Sequence, residues 1–478
     1  MGRIERDKRL TALGIELSTT ACSIGGRNAA GEEFYATVPM LGATKWNDMS
    51  AFDLTEVPGM IRACLVNLAK QLGLDEEHYY LAFAGNGALC MVVRQHDMVL
   101  VGNDGKLLMP ALSWQANQAT EQVQELKAQG AEAVVGPIEA RFVLPKLLLA
   151  LKLESGLREQ IRYVMTTGDW INWIMAGMMS RNCRLSTSDA LCNGLLGQHT
   201  KLLAKEVIKK AGLDPRWFPE PILSDRIVGK VQYSGDDFGF GAVSCWLEGW
   251  QICADLGDNH ATALGTGLVD GDLRTAFASF GTSGTVTRLC SPGAQLAGKA
   301  ACFEFFDWRL LLAMLADCGA RWTEFKAKYA DGKSDGELSR LAMEFEAAHQ
   351  ASPAEDASEI PAFDDLPLPA QAATIQKMIG REMAGVLNIV LREVLDRDTP
   401  PIEKVVMTGG LIQSELLRGY FTKVIQGLGL QAFVSDRQGP LATQTGVAGG
   451  LIQALVANGT FPDRKAAVQA LCPLRQLG

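Results

Sequence analysis

The sequence lacks several short signatures that mark nucleotide-binding proteins and metalloproteins. Its 11 cysteines contain no Cys-x-x-Cys pair, and its five histidines show no metal-ligand spacing. We therefore expect reduced thiols that pack as small apolar side chains, rather than a disulfide frame or a zinc site. The phosphate-binding pattern Gly-x-x-x-x-Gly-Lys-Ser/Thr is also missing. A nucleotide-binding protein with this sequence must hold its phosphates in another way.

Excess positive charge and long apolar runs are missing as well. The net charge of −9 argues against nucleic acid as a partner, although it permits the binding of a single nucleotide. The charged segment Met1–Arg9 lacks the apolar core of a signal peptide. The apolar stretch Phe142–Leu153 is interrupted by Lys146 and Lys152, so it is unsuited to spanning a membrane. We expect a cytoplasmic protein with neither nucleic acid nor membrane as a partner.

At 478 residues the chain is too long for one hydrophobic core, so two domains are expected. We place them at residues 1–245 and 246–478, because each half runs through three strands, a helix, a strand and a helix. Apolar strands without alternation predict an α/β fold with helices on both sheet faces. The stretch Ala347–Pro369, rich in proline, alanine and acidic residues, predicts a solvated linker.

Two predicted hairpins, one in each half, carry hydroxyl-rich tips. Leu13–Leu17 and Cys22–Gly25 flank the first tip, and Ala276–Phe280 and Thr285–Leu289 flank the second. Small and hydroxyl-bearing residues leave backbone N–H groups exposed, which favours anion binding. Either tip alone is as typical of an ordinary surface turn. The pairing predicts two turns that grip a polyphosphate in a cleft between the halves; the tips are Ser18-Thr19-Thr20 and Gly281-Thr282-Ser283.

Thr55–Gln71 is predicted to be a helix and Tyr79–Ala84 a buried strand.

Elements in the second half suggest a place for a nucleoside. Lys404–Met407 is a short buried strand that opens onto Gly409-Gly410, before a helix near Ser414. The glycines would let a flat ring or ribose approach, and the helix N-terminus favours phosphate. A tight strand-to-helix turn explains the same residues equally well.

Two carboxylates are candidates for chemistry. Asp258 follows a strand in Gly257-Asp258-Asn259 and could accept the proton of an attacking hydroxyl. It could equally cap the helix that begins near Asn259. Glu16 lies in an apolar strand, where an acid is costly unless it is paired or linked to a metal. It could hold Mg²⁺ through water or face solvent at the strand end.

Trp114, with Asn117 close behind it, ends a predicted strand. An aromatic face can stack on the C–H groups of a sugar, so the pair could line a sugar pocket. A partly buried tryptophan that only packs is at least as good an interpretation.

With these residues in view, the chain resembles the FGGY carbohydrate kinases, which include glycerol, xylulose, gluconate and ribulose kinases. Glu16 to Thr20 stands where the family has its first phosphate motif, Asp-x-Gly-Thr-Thr/Ser. Gly257-Asp258 falls on its catalytic Gly-Asp. Other matching segments are Leu112-Ser113-Trp114, Gly281-Thr282-Ser283-Gly284, Gly409-Gly410 and Gly446-Val447-Ala448. The segment that reads Met-His-Gly in xylulose kinases is assigned to Gly85–Cys90.

This resemblance implies two actin-like (RNase H-like) domains with an interdomain catalytic cleft that binds ATP and Mg²⁺. It implies transfer of the γ-phosphoryl group to a hydroxyl of a small sugar or polyol, with ketopentoses such as xylulose favoured and a homodimer expected. Asp258 would be the general base, and Glu16 and Asp258 would serve the metal. The residues expected to bind ATP are Thr19, Thr20, Gly281, Thr282, Ser283, Gly409, Gly410 and Ser414. Those expected to bind the substrate are Asn86, Gly87, Trp114, Asn117, Asp258 and Asn259.

The chain departs from the family pattern at several of these positions. Glu16 replaces the usual aspartate of the first motif, and Ser18 replaces its glycine. The family's Trp-x-Asp-x-Arg becomes Trp114-Gln115-Ala116-Asn117-Gln118 and loses both charges. An alternative is therefore a weakened kinase homologue that binds a sugar or nucleotide for regulation. An actin- or chaperone-like ATPase is a third reading, which the Trp114 strand and the helical insert disfavour.

Overall fold

The structure is a computed structural model, and it describes residues 5–233, 238–281, 283–350, 362–396 and 399–478. The chain forms two compact units. The first contains residues up to Asp270 together with Phe303–Asp307 and Gln438–Leu471. The second contains Gly271–Cys302, Trp308–Arg437 and Cys472–Gly478. The predicted domain boundary between residues 245 and 246 stays a prediction.

Each unit contains a seven-stranded sheet. The strands up to residue 257 are β1 (Leu10–Leu17), β2 (Ala21–Asn28), β3 (Glu33–Pro39), β4 (Ala43–Trp46), β5 (Met49–Phe52), β6 (Ala88–Val93), β7 (Val99–Gly102), β8 (Ala111–Leu112), β9 (Ile161–Met165), β10 (Arg184–Ser186), β11 (Glu220–Ile222), β12 (Ile227–Lys230), β13 (Gln251–Cys253) and β14 (Leu256–Gly257). The later strands are β15 (Thr275–Phe280), β16 (Gly284–Cys290), β17 (Ala301–Phe305), β18 (Trp308–Leu315), β19 (Lys404–Thr408), β20 (Gln431–Ser435) and β21 (Leu474–Leu477).

Helices cover these sheets. They are α1 (Val57–Gln71), α2 (Thr120–Ala128), α3 (Glu132–Val135), α4 (Val143–Leu153), α5 (Leu157–Gln160), α6 (Thr167–Met175), α7 (Thr187–Ala190), α8 (Lys205–Lys210), α9 (Gly241–Trp246), α10 (Asp258–Thr266), α11 (Cys318–Tyr329), α12 (Asp335–Gln350), α13 (Leu368–Leu391), α14 (Glu415–Gly427), α15 (Thr445–Ala457) and α16 (Arg464–Leu471). No helix among the described residues is both long enough and apolar enough to cross a bilayer.

In the first unit the sheet order is β12-β13-β6-β1-β2-β3, and β14 also pairs with β6. β1 pairs with β2 antiparallel and with β6 parallel. All six residues of β6 are buried, as expected for a central strand covered on both faces. Helix α1 supplies one cover through Ile61, Leu65 and Leu68, which recur at helical spacing and are buried.

Helices α10 and α15 meet each other and β1 at backbone distance. A Cβ atom on Gly265 would lie 1.9 Å from the carbonyl oxygen of Thr445, and one on Gly449 would lie 1.9 Å from that of Ala261. A Cβ on Gly14 of β1 would lie 2.3 Å from the carbonyl oxygen of Val447. Only glycine permits this spacing, because the obstructing atoms are backbone and cannot rotate away. The close packing fixes the positions of α10 and α15 against β1, and with them the positions of the residues that begin the two helices.

The sheet of the second unit has the order β17-β18-β16-β15-β19-β20-β21. β15 and β16 form the predicted antiparallel hairpin, and β15 runs parallel to β19. Helix α13 packs a buried stripe that includes Ile379, Met383 and Val390 into this unit's core.

Two expectations about local structure need correction. Residues Glu76–Phe83 form a 3₁₀ helix, not the predicted strand at Tyr79–Ala84. The central strand begins later, at Ala88, where the run of apolar residues is unbroken. The predicted linker also starts too early, because α12 continues to Gln350. Residues 351–361 of that linker lie outside the described residues.

The close helix crossing leads to a first prediction. Gly449→Ala should lower the free energy of unfolding by about 3 kcal/mol or more, since the added methyl meets backbone that cannot yield. Gly59→Ala in α1 is the matched control, because no described atom lies within 4 Å of its added Cβ. It should stabilise the protein by up to about 1 kcal/mol through helix propensity. Urea unfolding of both variants measures this, and equal effects would contradict the packing argument.

Candidate active site

The first hydroxyl-rich turn forms as predicted, between β1 and β2. The Ser18 hydroxyl oxygen accepts hydrogen bonds from the backbone N–H groups of Thr20 at 3.3 Å and Ala21 at 3.0 Å. Thr19 and Thr20 are exposed at the tip. Ser18 therefore occupies two of the amide donors that a phosphate would otherwise use.

Trp114 contacts this turn. Its indole N–H donates to the Thr19 hydroxyl at 3.3 Å, and its side chain remains 38% exposed. Asn117 follows three residues later and is exposed. Trp114 is thus not a buried tryptophan that only packs in the core. Its ring borders the predicted phosphate turn.

Asp258 begins α10 directly after β14. Its carboxylate accepts the backbone N–H of Asn259 at 2.8 Å. Burial raises the pKa of Asp258 to about 6; the Asn259 N–H and Arg94 oppose this rise, and the charge of Asp97 adds to it. The helix-capping alternative is not observed, because Gly257 occupies the N-cap position, the helix has no side-chain cap, and Asp258 is its first residue. A carboxylate with a pKa near neutrality is also suited to accepting a proton.

Glu16 lies near the end of β1 and against the start of α15. A Cβ on Gly446 would lie 2.4 Å from a Glu16 carboxylate oxygen, so the absence of a side chain makes room for it. Burial and the negative charge of Asp258 raise the pKa of Glu16 to about 7, against a lowering by the Val447 backbone. The two residues predicted to serve the metal, Glu16 and Asp258, are therefore close enough for the charge of Asp258 to raise the pKa of Glu16.

The loop after β6 was not predicted to belong to the site. Arg94 in this loop donates from Nη1 to the Ser18 carbonyl at 2.8 Å and from Nη2 to an Asp97 oxygen at 2.7 Å. Both side chains are almost completely buried. Arg94 thereby ties the Ser18–Thr20 turn to the end of β6, and its charge reaches Asp258.

Gln95, the next residue, connects this loop to Asp258's neighbours. Its side-chain oxygen accepts from the Asn259 amide at 2.7 Å, and its amide donates to the Ser188 carbonyl at 3.2 Å. A Cβ on Gly257 would lie 2.6 Å from Gln95, which explains the glycine before Asp258. Asn259 is thus held beside Asp258, as the substrate assignment requires.

Asn86 and Gly87, predicted to bind the substrate, lie at the other end of β6. The Gly87 carbonyl pairs with Gln251, and Asn86 lines a separate polar pocket with Arg27 and Asn458. A strand of six residues spans roughly 20 Å, so the structure does not bring them to Asp258. The resemblance assigned the sugar-contacting segment to Gly85–Cys90, whereas the loop that reaches Asp258 is Arg94–Asp97. The apolar run Ala88–Val93 was the signal that could have located it.

Several more charged groups are buried around this loop. Burial raises the pKa of Asp169 to about 7, and burial together with the charge of Asp169 raises the pKa of Asp255, so this pair retains a proton. Burial lowers the pKa of Lys146 to about 7, while Asp97 and Asp189 oppose that shift. The Lys146 ammonium donates to the carbonyls of His96, Leu112 and Ser113. The surroundings of Asp258 are therefore rich in carboxylates.

The second unit brings together the other predicted residues. Gly281 and Ser283 flank the β15–β16 turn, while Thr282 lies outside the described residues. The Gly281 carbonyl accepts the N–H of Gly319 at 2.9 Å. Gly409, with φ of 100°, lies so close that a Cβ would be 2.6 Å from the Phe280 carbonyl. The two glycine-containing turns are therefore neighbours.

A pocket of about 80 Å³ adjoins them. Gly410 and Ser414 line it, and Ser414 caps α14 while donating to the Gln376 side chain at 2.7 Å. Most of the remaining wall is apolar, with Trp322 and Ile379 among its residues. A largely apolar pocket with a few fixed polar groups is typical of a small-molecule site.

Solved structures share this fold. A gluconate kinase from Lactobacillus acidophilus superposes with a TM-score of 0.75 at 16% identity, over 98% of this chain and 93% of that one. A xylulose kinase from the same organism gives 0.76 at 15% identity, with the same coverages. The fold is that of the actin-like carbohydrate kinases.

The sequence supports the same class. Residues 37–265 match the N-terminal domain of the FGGY family of carbohydrate kinases. The xylulose kinase of Streptomyces rubiginosus is 28% identical over 236 residues, which are 47% of this chain and 46% of that protein. These matches support the resemblance to the FGGY carbohydrate kinases that the motifs implied, and they span about half the length of such relatives.

The raised pKa of Glu16 predicts a pH-dependent stability. The unfolded carboxyl loses its proton near pH 4.5 and the folded one near pH 7, so the free energy of unfolding falls as pH rises between those values. Glu16→Gln should therefore stabilise the protein at pH 8 by about 1–3 kcal/mol, allowing for partial exposure to water. At pH 4.5 Glu16→Gln should change the free energy of unfolding only slightly, because the carboxyl is then protonated in the folded protein.

Thermal or urea unfolding at the two pH values measures this difference. Glu77→Gln, at an exposed position, is the control and should change stability by no more than about 0.5 kcal/mol at either pH. An equal gain at both pH values for Glu16→Gln would show that charge burial is not the cause.

Proposed function

We propose that this protein transfers the γ-phosphoryl group of ATP to a hydroxyl of a small sugar or polyol, with Asp258 as general base. The observation that carries the proposal is the setting of Asp258. Asp258 starts a helix, and its carboxylate has a pKa of about 6 and accepts the Asn259 N–H. Arg94, whose charge lowers that pKa, also donates to the Ser18 carbonyl of the hydroxyl-rich turn. A base of that pKa is largely ionised at neutral pH and can accept the proton of the attacking hydroxyl.

Mg²⁺ fits the residues present. Glu16 and Asp258 offer hard oxygen donors whose pKa values are raised by burial and mutual charge, so a cation would relieve their repulsion. When bound, the ion would neutralise charge on the transferring phosphoryl group. Glu16 is one methylene longer than the aspartate of the family motif, and the side-chain-free surface of Gly446 accommodates that length.

The nucleoside would occupy the pocket at Gly410 in the second unit. Its apolar wall suits a base, and Ser414 at the N-terminus of the 13-residue helix α14 suits a phosphate. Gly281 and Ser283 would contact the phosphates from the neighbouring turn. We assign Thr19 and Thr20 to ATP binding as well, on the ground of the family resemblance. We include Thr282 in this group because the family resemblance implies it.

The substrate we favour is an uncharged ketopentose such as xylulose. The support is twofold: similar proteins are named xylulose kinases, and the carboxylates around Asp258 disfavour an acidic sugar. Asn259 and Gln95 offer amide groups for hydroxyl recognition. We include Trp114 and Asn117 among the substrate residues because the family resemblance implies them. Residence in the cytoplasm and a homodimer remain part of the proposal.

A second candidate rests on one observation. Ser18 occupies the N–H groups of Thr20 and Ala21, which weakens the first phosphate turn. A protein that binds the sugar or nucleotide for regulation, with little turnover, is the alternative.

Replacement of the general base distinguishes these functions. Asp258→Asn should lower the rate of ADP formation with the best ketopentose by about 10²–10⁴-fold, because the attacking hydroxyl loses its proton acceptor. The variant should still bind ATP, and its melting temperature should not fall, because the substitution removes a buried charge. A coupled ADP assay across ketopentoses, polyols and aldonates gives the rate, and calorimetry gives the ATP affinity.

Asn259→Asp is a useful companion, since it keeps the size of the neighbouring side chain. Turnover by Asp258→Asn at the parent rate would refute the base assignment. A parent protein that is stabilised by sugar, yet makes no ADP with any of them, would favour the regulatory function.

The nucleotide pocket has its own test. Gly410→Leu should weaken ATP binding by at least about 10-fold, since the side chain would enter the pocket. Gly419→Leu on the exposed side of α14 is the matched control, because no described atom lies within 4 Å of a Cβ at either position. Calorimetric titration with ATP compares them; equal affinities would mean that the base binds elsewhere.

A further inference from the structure

Three side chains beside Asp258 form a group that the proposed function does not use. His96 follows β6, Asp189 lies on α7, and Cys192 lies just beyond it. One ligand atom from each, a ring nitrogen, a carboxylate oxygen and the thiol sulfur, lie within 4.8 Å of one another. The sequence analysis could not predict this group, because His96 and Asp189 are 93 residues apart in the chain.

We propose that His96, Asp189 and Cys192 form a binding site for a soft divalent cation of the zinc class. Imidazole, carboxylate and thiolate are the ligands that Zn²⁺ and Cd²⁺ accept. Three protein ligands leave a fourth position open, as in tetrahedral sites that keep a water or another molecule. The inference goes beyond the proposed kinase activity and does not depend on it.

The geometry requires little rearrangement. Ligand atoms around a tetrahedral Zn²⁺ are about 3.3–3.8 Å apart, given bonds of about 2.0–2.3 Å. Separations of up to 4.8 Å therefore need to shrink by at most about 1.5 Å. Neighbouring groups already orient the ligands: the Asn193 side-chain oxygen lies 3.1 Å from His96 Nδ1, and its amide donates to Asp189 at 2.8 Å. Such outer partners are usual around metal ligands.

A buried, unpartnered oxygen is the second observation. Asp189 is fully buried, and its Oδ1 accepts from the His96 backbone and the Asn193 amide, whereas Oδ2 has no hydrogen-bond partner among the described residues. Leaving a buried carboxylate oxygen unsatisfied is costly, and a bound cation would remove that cost.

The carboxylates around Asp189 favour a cation there, while the positive charges of Arg141 and Lys146 act on His96. Asp97, Asp255 and Asp258 all act on Asp189 as negative neighbours. His96 is uncharged near neutral pH, because burial and the charges of Arg141 and Lys146 lower its pKa to about 3. The neutral ring is the form that binds metals. The Gln95 amide also lies 3.4 Å from the Cys192 sulfur and would stabilise a thiolate there.

Binding has a definite proton balance. The thiol of Cys192 now lies 3.0 Å from the Asp189 carbonyl, and burial raises its pKa, so it is protonated. On binding, a sulfur–metal bond forms as the S–H bond breaks, and the proton leaves to the buffer. Asp189, whose pKa burial also raises, releases a proton in the same way.

The test titrates Cd²⁺ into the phosphine-reduced full chain and follows the ultraviolet thiolate-to-metal charge-transfer band. The parent should bind one Cd²⁺ in a saturable step with this band and release protons. Cys192→Ala should lose the band of this step and weaken Cd²⁺ binding by more than about 100-fold, beyond the cost of losing an outer partner. Cys245→Ala is the control, since Cys245 is the exposed cysteine, and it should match the parent.

His96→Gln provides a second variant that retains the sulfur. It should weaken Cd²⁺ binding by a similar factor while keeping the band at saturation, and this result decides the matter if Cys192→Ala does not fold. A parent that shows no saturable band, or a folded Cys192→Ala protein with the parent's affinity, would overturn the proposal.

Discussion

The first unit depends on the backbone-to-backbone contact of α10, α15 and β1. Gly265 and Gly449 let the two helices touch, and Gly14 lets α15 lie on the sheet. A rigid contact of this kind fixes where each helix begins. As a result Asp258, at the start of α10, and Gly446, at the start of α15, both face Glu16. The positive ends of two helices partly offset the burial of two carboxylates, which side-chain packing alone would not do.

A second constraint is the burial of charge. Arg94 and Asp97 are nearly inaccessible to water, so each is tolerable only because the other is present. Removing one partner of such a pair typically costs about 3–5 kcal/mol, far more than the pair contributes over an apolar replacement. The pair therefore adds little to the stability of the protein, but it holds the loop after β6 in one conformation. It determines that the residues after β6, rather than those before it, reach Asp258.

The sequence predicts the local architecture well where hydrophobic pattern and turn chemistry agree. The β1–β2 and β15–β16 hairpins and helix α1 formed as expected, and the family resemblance is confirmed. The failure lay at Tyr79–Ala84, where aromatic residues suggested a strand and a 3₁₀ helix formed instead. Placing the strand too early moved the sugar-contacting segment to Asn86. Arg94, and the group around His96, could not be found, because their partners are distant in sequence and are brought near only by the fold.

The departures from the family motif need not abolish catalysis. Each hydrogen bond from a backbone N–H to the Ser18 hydroxyl contributes only about 0.5–1.5 kcal/mol net, and a charged phosphate is the stronger acceptor. A polyphosphate can therefore displace the Ser18 hydroxyl from the N–H groups of Thr20 and Ala21 at modest cost. The hydroxyl, which now donates to the Ala21 carbonyl, could then donate to the phosphate instead. The longer Glu16 is accommodated by Gly446 rather than forced into the turn. On this reasoning the substitutions tune the affinity for phosphate, while the position of Asp258, fixed by the helix contact, decides whether transfer occurs.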